Sequence, residues 1–265
     1  MTLGYLGPEG SYSGLAAATL RADANFKEYA SFPLVVSALV AGECDYIVLP
    51  VENSLNGGVY QNLDLLQSTK GVVAVAECAL KLSHRLATLQ GTRLEDIRRV
   101  YSHEQSLGQC QKFLSGKLPK AELVAMPSTA ASLKMLKKKT DACIVGAHVN
   151  KEGVKLWNED IADEDCNITH FLLVKKGDIA GGTHSKKVFF SATCLHEAGG
   201  LFGLLAPIKD GGFNMTRINP RPIKDKFGEY RFFIEVEGDF ADEKLQAVLS
   251  EIKKVANSFK ILGAY

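Results

Sequence analysis

The chain has no CxxC pair, no HExxH or HxxxH, and no His/Cys cluster at zinc-ligand spacing. These absences argue against a dithiol redox centre, a zincin and a structural zinc site. No GxxxxGK[ST] is present to cradle phosphates, and no GxSxG elbow marks a hydrolase nucleophile. The glycine-rich start GYLGPEG is spaced GxxGxxG, not GxGxxG, and no acidic residue stands where it would meet a ribose. No window approaches 18 uninterrupted apolar residues, so no membrane span is expected, and MTLGYLGPEG lacks the basic and apolar regions of a secretory leader. Charge of one sign is also missing. With 31 Lys and Arg against 30 Asp and Glu the net charge is +1, which argues against nucleic acid or an anionic membrane as partner.

The six cysteines, at 44, 78, 110, 143, 166 and 194, mostly fall inside apolar patterns. They read as free thiols in a reducing compartment, so a cytoplasmic protein is expected. No cofactor is expected.

What is present is a rhythm. Over residues 1–175, short apolar strands (2–6, 45–51, 72–82, 168–175) alternate with helical segments that begin at SYSG, SFPL, Val59, EQSL and Ser128. Alternation at this spacing predicts an α/β fold with a mostly parallel sheet covered by helices. Ligand contacts then belong on the loops that leave the strands: 7–11, 52–58, 102–106, 127–129 and 146–148. Strands 72–82 and 168–175 are suited to carrying the chain between two lobes. The basic run Lys137–Lys138–Lys139 reads as the end of a helix over 128–139, where cations suit the dipole. After a Gly-rich linker the pattern becomes βαββαβ, ferredoxin-like, with Leu245, Val248, Leu249, Ile252 and Val255 forming one helical stripe.

Six segments in order carry a resemblance over essentially the whole chain. GYLGPEGSYS, VLPVENSLNGGVYQNLDLL, YSHEQSLGQC and NITHFLLV resemble the motifs GPxGTFS, ENSxxGxVxxxxDLL, SHPQxLxQC and NxTRFLxL of the prephenate dehydratases. HEAGGLFGLL and NMTRINPRP resemble that family's regulatory motifs. The resemblance implies a two-subdomain catalytic domain like the type II periplasmic binding proteins (1–178), a linker (179–186) and a ferredoxin-like ACT regulatory domain (187–265). It also implies conversion of prephenate to phenylpyruvate, L-phenylalanine as allosteric effector, and a homodimer or homotetramer formed through the ACT domain. No fused chorismate mutase segment is recognisable. Two alternatives stay open: arogenate as substrate, or a non-catalytic binder of aromatic metabolites, since the family's Thr-Arg-Phe is Thr169-His170-Phe171 here.

By resemblance, Thr169, His170 and Phe171 form the catalytic motif, with Thr169 a hydrogen-bond donor to the departing hydroxyl. Strand alternation turns His170 away from Thr169, leaving either a structural role or a part in proton supply. Asn53 and Ser54 offer an amide and a hydroxyl at a strand end. Ser11, Ser128 and Thr129 stand at helix starts that can cap or bind an anion. Glu52, Ser102 and Gln105 complete the expected lining. Gly199, Gly200, Leu201, Asn214 and Asn219 are the expected phenylalanine site, with Asn219 where the family has Glu.

Overall fold

The computed structural model describes residues 1–224 and 226–265. Lobe one holds β1 (Thr2–Leu6), α1 (Tyr12–Leu20), β2 (Asn25–Tyr29), α2 (Phe32–Ala41), β3 (Tyr46–Asn53), β4 (Gly57–Gly58), α3 (Tyr60–Ser68) and β5 (Val72–Lys81). The chain then crosses into lobe two, with β6 (His84–Leu89), β7 (Arg99–Ser102), α4 (Glu104–Gly108), α5 (Gln111–Lys117), β8 (Glu122–Ala125), β9 (Asp141–Gly146) and β10 (Val154–Leu156). It returns as β11 (Ile168–Lys176). The tail adds β12 (Lys187–Thr193), α6 (Gly200–Asp210), β13 (Met215–Pro222), β14 (Tyr230–Glu237), α7 (Glu243–Val255) and β15 (Ser258–Ala264). None of the described helices is long and apolar enough to cross a membrane.

Lobe two is a separate sheet of order β10-β6-β9-β7-β8. Lobe one and the tail share the other sheet, of order β13-β14-β12-β15-β5-β11-β3-β1-β2. The join is one parallel bridge, Gly263 to Ala74. Only glycine fits there, because a Cβ on residue 263 would lie 2.6 Å from the Ala74 Cβ. The sheets are mixed and not mostly parallel: β11 runs antiparallel to both β3 and β5, and β6 antiparallel to β9. The chain re-enters lobe one from the far lobe, so β11 runs opposite to the strands beside it.

Strand β11 separates two layers. Phe171 and Leu173 pack with Leu3, Tyr5, Ala16 and Ala17 on the α1 side. Leu172 and Val174 pack on the other side with Val35 and Leu39 of α2, Leu63 and Leu66 of α3, and Phe189, Phe233 and Leu262 of the tail. The tail is thus built into the hydrophobic core of lobe one.

Two helical expectations change. Residues 128–139 form only a 3₁₀ turn, Ala130–Met135. Leu133, Met135 and Leu136 pack against Ala87, Tyr101, Cys143 and Val145 of lobe two. The segment that starts at EQSL breaks at Gln109–Cys110 into α4 and α5, because Asp163 captures the Gln111 and Lys112 amides at 2.9 Å each and starts a second helix.

Polar contacts also fasten the tail to lobe one. The Lys260 ammonium donates to the carbonyls of Leu66, Gln67 and Thr69 at 2.8–2.9 Å, capping the C-terminus of α3 from another part of the chain. Arg221 forks onto Asp64, its Nη2 donating at 2.8 Å. Replacing Lys260 by Met leaves three carbonyls short of a donor and is expected to cost about 2 kcal/mol. Urea unfolding measures it; unchanged stability would remove the capping role.

Candidate active site

The ENS turn that follows β3 is organised around one amide. Asn53 Oδ1 accepts from the Leu55 and Asn56 backbone N–H groups at 3.1 Å each and from Asn56 Nδ2 at 2.8 Å. With its oxygen so committed, the orientation of the amide is settled, and its NH2 faces β11. Asn53 Nδ2 donates to Asn167 Oδ1 at 2.7 Å and to Thr169 Oγ1 at 2.8 Å. Thr169, 6% exposed, therefore uses its oxygen as an acceptor, and its own hydrogen has no acceptor among the described residues.

The chain of amides continues into lobe two. Asn167 Nδ2 donates to Gln109 Oε1 at 3.1 Å, and the same oxygen lies 2.9 Å from His84 Nε2. An amide oxygen only accepts, so the proton of His84 is on Nε2, and its buried Nδ1 is without a partner among the described residues. The NH2 of Gln109 has no partner among the described residues. Cys110, next in sequence, is no nucleophile: burial, then Asp163 and Asp160, push its thiol up to about 12.

Gln109 is the residue that sequence reasoning missed in favour of Gln105. The signal was available, since Gln109 is the last Gln of the quoted SHEQSLGQC. Gln105 is exposed and takes part through its backbone alone, its N–H donating to His103 Nδ1 and its carbonyl accepting from the Gln109 N–H.

The other expected residues separate into groups. Ser11 caps α1, accepting from the Gly14 N–H and donating to the Leu6 carbonyl, so both capacities are used within lobe one. Ser54 binds the turn to the segment before β11, donating to Cys166 O and accepting from Ile168 N. Ser102 is fully buried and donates to Ile144 O. Ser128 accepts from Ala131 N, whereas Thr129 makes no side-chain cap. Phe171 is a correction: it is 2% exposed in the α1-side layer and does not reach the cleft. His170 and Glu52 are corrections too. Both point to the opposite side of the strand from Thr169, His170 toward Glu77 and Glu52 toward Arg217. The cause is strand alternation, which from the sequence already leaves a structural role open for His170.

Two concavities lie between the lobes. The larger, about 800 Å³, is walled by Gly10, Ser11, Leu15 and Glu28 on one side and Lys134 and His148 on the other. The smaller, about 240 Å³, is walled by Leu55, Gln109, Asp163 and Asn167. Volume and chemistry point to different places. The smaller is the better candidate, since it borders the hydrogen-bond network that ends on Thr169. Near the larger one the lobes are clasped: Tyr12 donates to Ser83 O at 2.6 Å, and His148 Nε2 lies 3.0 Å from Gly10 O. Burial lowers the His148 pKa, which keeps that imidazole neutral.

In the tail, Gly199 is left-handed (φ +85°), and a Cβ on Gly200 would meet Leu195 O at 2.3 Å, so the start of α6 requires this glycine pair. Asn214 donates to Glu237 at 3.0 Å. Asn219 does not join Gly199–Leu201. Ile218 packs on the side of α6 and α7, so Asn219 faces the other way and lies against Gly58 of lobe one.

The family model described as Prephenate dehydratase matches residues 3–179, well over half of the chain. The chain belongs to the prephenate dehydratase family. It is 32% identical to the bifunctional chorismate mutase/prephenate dehydratase of Neisseria gonorrhoeae, over all of this chain and 74% of that one. It is also 32% identical to the prephenate dehydratase of Amycolatopsis methanolica, over 99% of this chain and 88% of the other. The solved prephenate dehydratase of Arthrobacter aurescens, in complex with L-Phe, matches with a TM-score of 0.89 at 27% identity, covering 100% of this chain and 90% of that one. The α/β fold of this chain is that of the prephenate dehydratases.

The contact between tail and lobe one also has a charge component. Arg217 lies 2.9 Å from Glu52 and 3.3 Å from the buried Glu235. Burial pushes the Glu235 carboxyl up, but Arg217, Thr216, Tyr265 and Lys187 together hold it below its ordinary 4.5. A depressed carboxyl lends stability above its unfolded value and loses it as acid protonates the folded form. Glu235→Gln is therefore expected to cost about 3 kcal/mol at neutral pH. That gap from wild type should close below about pH 4. Thermal unfolding at both pH values checks it; a gap that does not change with pH contradicts the assignment.

Proposed function

We propose that this chain catalyses the decarboxylating dehydration of prephenate to phenylpyruvate, carbon dioxide and water, as an enzyme of L-phenylalanine biosynthesis. The observation that carries the reading is the hydrogen bond from Asn53 Nδ2 to Thr169 Oγ1, which leaves the threonine hydrogen free to donate. In the reaction the ring carboxylate leaves as carbon dioxide, its electron pair enters the ring, and the C–O bond on the far side of the ring breaks. The departing oxygen takes up one proton and leaves as water. A threonine hydroxyl is far too weak an acid to be ionised, but a donor placed at the leaving oxygen binds most strongly as negative charge develops there. Asn53 positions that donor. Gln109 offers its free NH2 to the substrate, and Glu52, neutralised by Arg217, adds no repulsion to the dianion.

The binder alternative drew on His170 standing where the family has Arg. With His170 facing Glu77, that substitution removes no group from beside the substrate. The tail is an ACT domain in this reading, and it binds L-phenylalanine around Gly199, Gly200 and Leu201. Supporting it are the L-Phe in the Arthrobacter relative and the exposed Phe202, Leu195 and Tyr230 on the same unit, an apolar surface suited to pairing with a second copy. Six free cysteines agree with a cytoplasmic protein.

Phenylpyruvate absorbance after addition of prephenate tests the activity. Thr169→Ala should lower kcat about 10²–10³-fold while the protein stays folded at the assay temperature, the loss typical of one transition-state donor. Thr169→Ser should retain most of it. Wild-type turnover in Thr169→Ala, or none in the wild type, sinks the reading. For the effector, calorimetry with L-phenylalanine should show saturable heat that Gly200→Val abolishes, and no heat in the wild type retires the site.

A further inference from the structure

Two buried atoms without partners among the described residues lie on the other face of β11, away from the cleft. Glu77 Oε2 and His170 Nδ1 are both buried with no hydrogen-bond partner among the described residues, and they face each other at 4.0 Å. That is about 1 Å beyond a charge-assisted hydrogen bond. Glu77 Oε1 holds Lys187 Nζ at 2.7 Å, and Lys187 lies 3.2 Å from Glu235. Glu235 pairs with Arg217, which pairs with Glu52, and the Tyr265 hydroxyl donates to Glu235. The ladder then closes on itself, because Glu52 is the cross-strand partner of His170. Both ends fall on the residue pair next to Asn53–Thr169, which are also cross-strand partners.

Charge counting leaves one vacancy. Glu52, Glu77 and Glu235 stand against Lys187 and Arg217, one carboxylate in excess. An imidazolium at residue 170 supplies the missing cation, and a side-chain shift of about 1 Å brings its Nδ1–H onto Glu77 Oε2.

We propose that His170 is a proton-dependent positioning residue. When protonated it donates from Nδ1 to Glu77 Oε2, completes the ladder, and ties the strand that carries Thr169 to the βαββαβ unit. When neutral it leaves that contact open. The groups beside His170 are Glu77 from β5 and the cross-strand partner Glu52 from β3, and linked to these are Lys187 from β12, Arg217 from β13, Glu235 from β14 and Tyr265 at the chain end. Arginine at position 170 would be charged at every pH and would close the ladder permanently. The kinetic part of this inference rests on Thr169 as donor; the structural part does not.

The test compares wild type with His170→Gln, His170→Arg and Glu77→Gln from about pH 5.5 to 8.5, across the range in which histidine titrates. Wild type should exceed His170→Gln in unfolding temperature by about 2–4 °C more at the acid end than at the alkaline end. That difference should vanish in the Glu77→Gln background, and His170→Arg should show a flat profile. On prephenate, wild-type kcat/KM relative to His170→Arg should fall several-fold as pH rises. Should His170→Gln fail to fold, a slowly exchanging downfield Nδ1–H signal in the wild type, present in acid and absent in Glu77→Gln, gives the same answer. A pH-independent gap, a gap that survives Glu77→Gln, or no such signal overturns the proposal. Expected unfolding profiles with no turnover in any form would refute the dehydratase reading and leave this one standing.

Discussion

Everything at the cleft follows from how one carboxamide is held. Three donors from Leu55 and Asn56 take the Asn53 oxygen, which forces its NH2 toward Asn167 and Thr169. Because an amide has one accepting and one donating end, this orientation passes from residue to residue. Asn167 must accept from Asn53 and so donates to Gln109, and Gln109 must accept and so sets the His84 tautomer. The network crosses from lobe one to lobe two and leaves two groups over, the Thr169 hydrogen and the Gln109 NH2. Both are donors. Those donors suit a dianion that sheds an oxygen, and of the two carboxylates lining the same cavity Asp163 is held by the Gln111 and Lys112 amides and Glu164 lies 3.9 Å from the Lys112 ammonium.

The same strand serves a second purpose through its other face. Thr169 belongs to the cleft, whereas His170, one residue on, belongs to the contact with the βαββαβ unit. That unit shares the sheet of lobe one, caps α3 through Lys260, and reaches the ENS turn through Arg217 and Asn219. A change in how the unit sits has a short mechanical route to Asn53 and Thr169, along the cross-strand pairs His170–Glu52 and Thr169–Asn53.

Much of the architecture was legible from local pattern. Ser11 and Ser31 cap α1 and α2, Gly42 ends α2 in the left-handed conformation, and of the expected stripe Leu245, Val248, Leu249 and Ile252 face the core of the tail whereas Val255, at the last turn, is exposed. The segments around Asn53 and Thr169 stood out as motifs before any partner was known. Less legible were the 3₁₀ turn at Ala130–Met135 and the break at Gln109–Cys110. The first depends on what Leu133 and Leu136 pack against. The second depends on Asp163, more than fifty positions along the chain.

Sequence alone determined most of the strands and helices, the order in which the two units follow, and the residue types available to the cleft, because caps, periodicity and turns are set by neighbours a few residues apart. Tertiary structure decided what those residues do. Which end of the Asn53 amide faces Thr169, which wall Gln109 joins, and whether His170 and Asn219 meet substrate or the βαββαβ unit all depend on partners brought together from distant parts of the chain. A side chain's role is settled by the atoms that saturate its donors and acceptors, and only folding chooses those atoms.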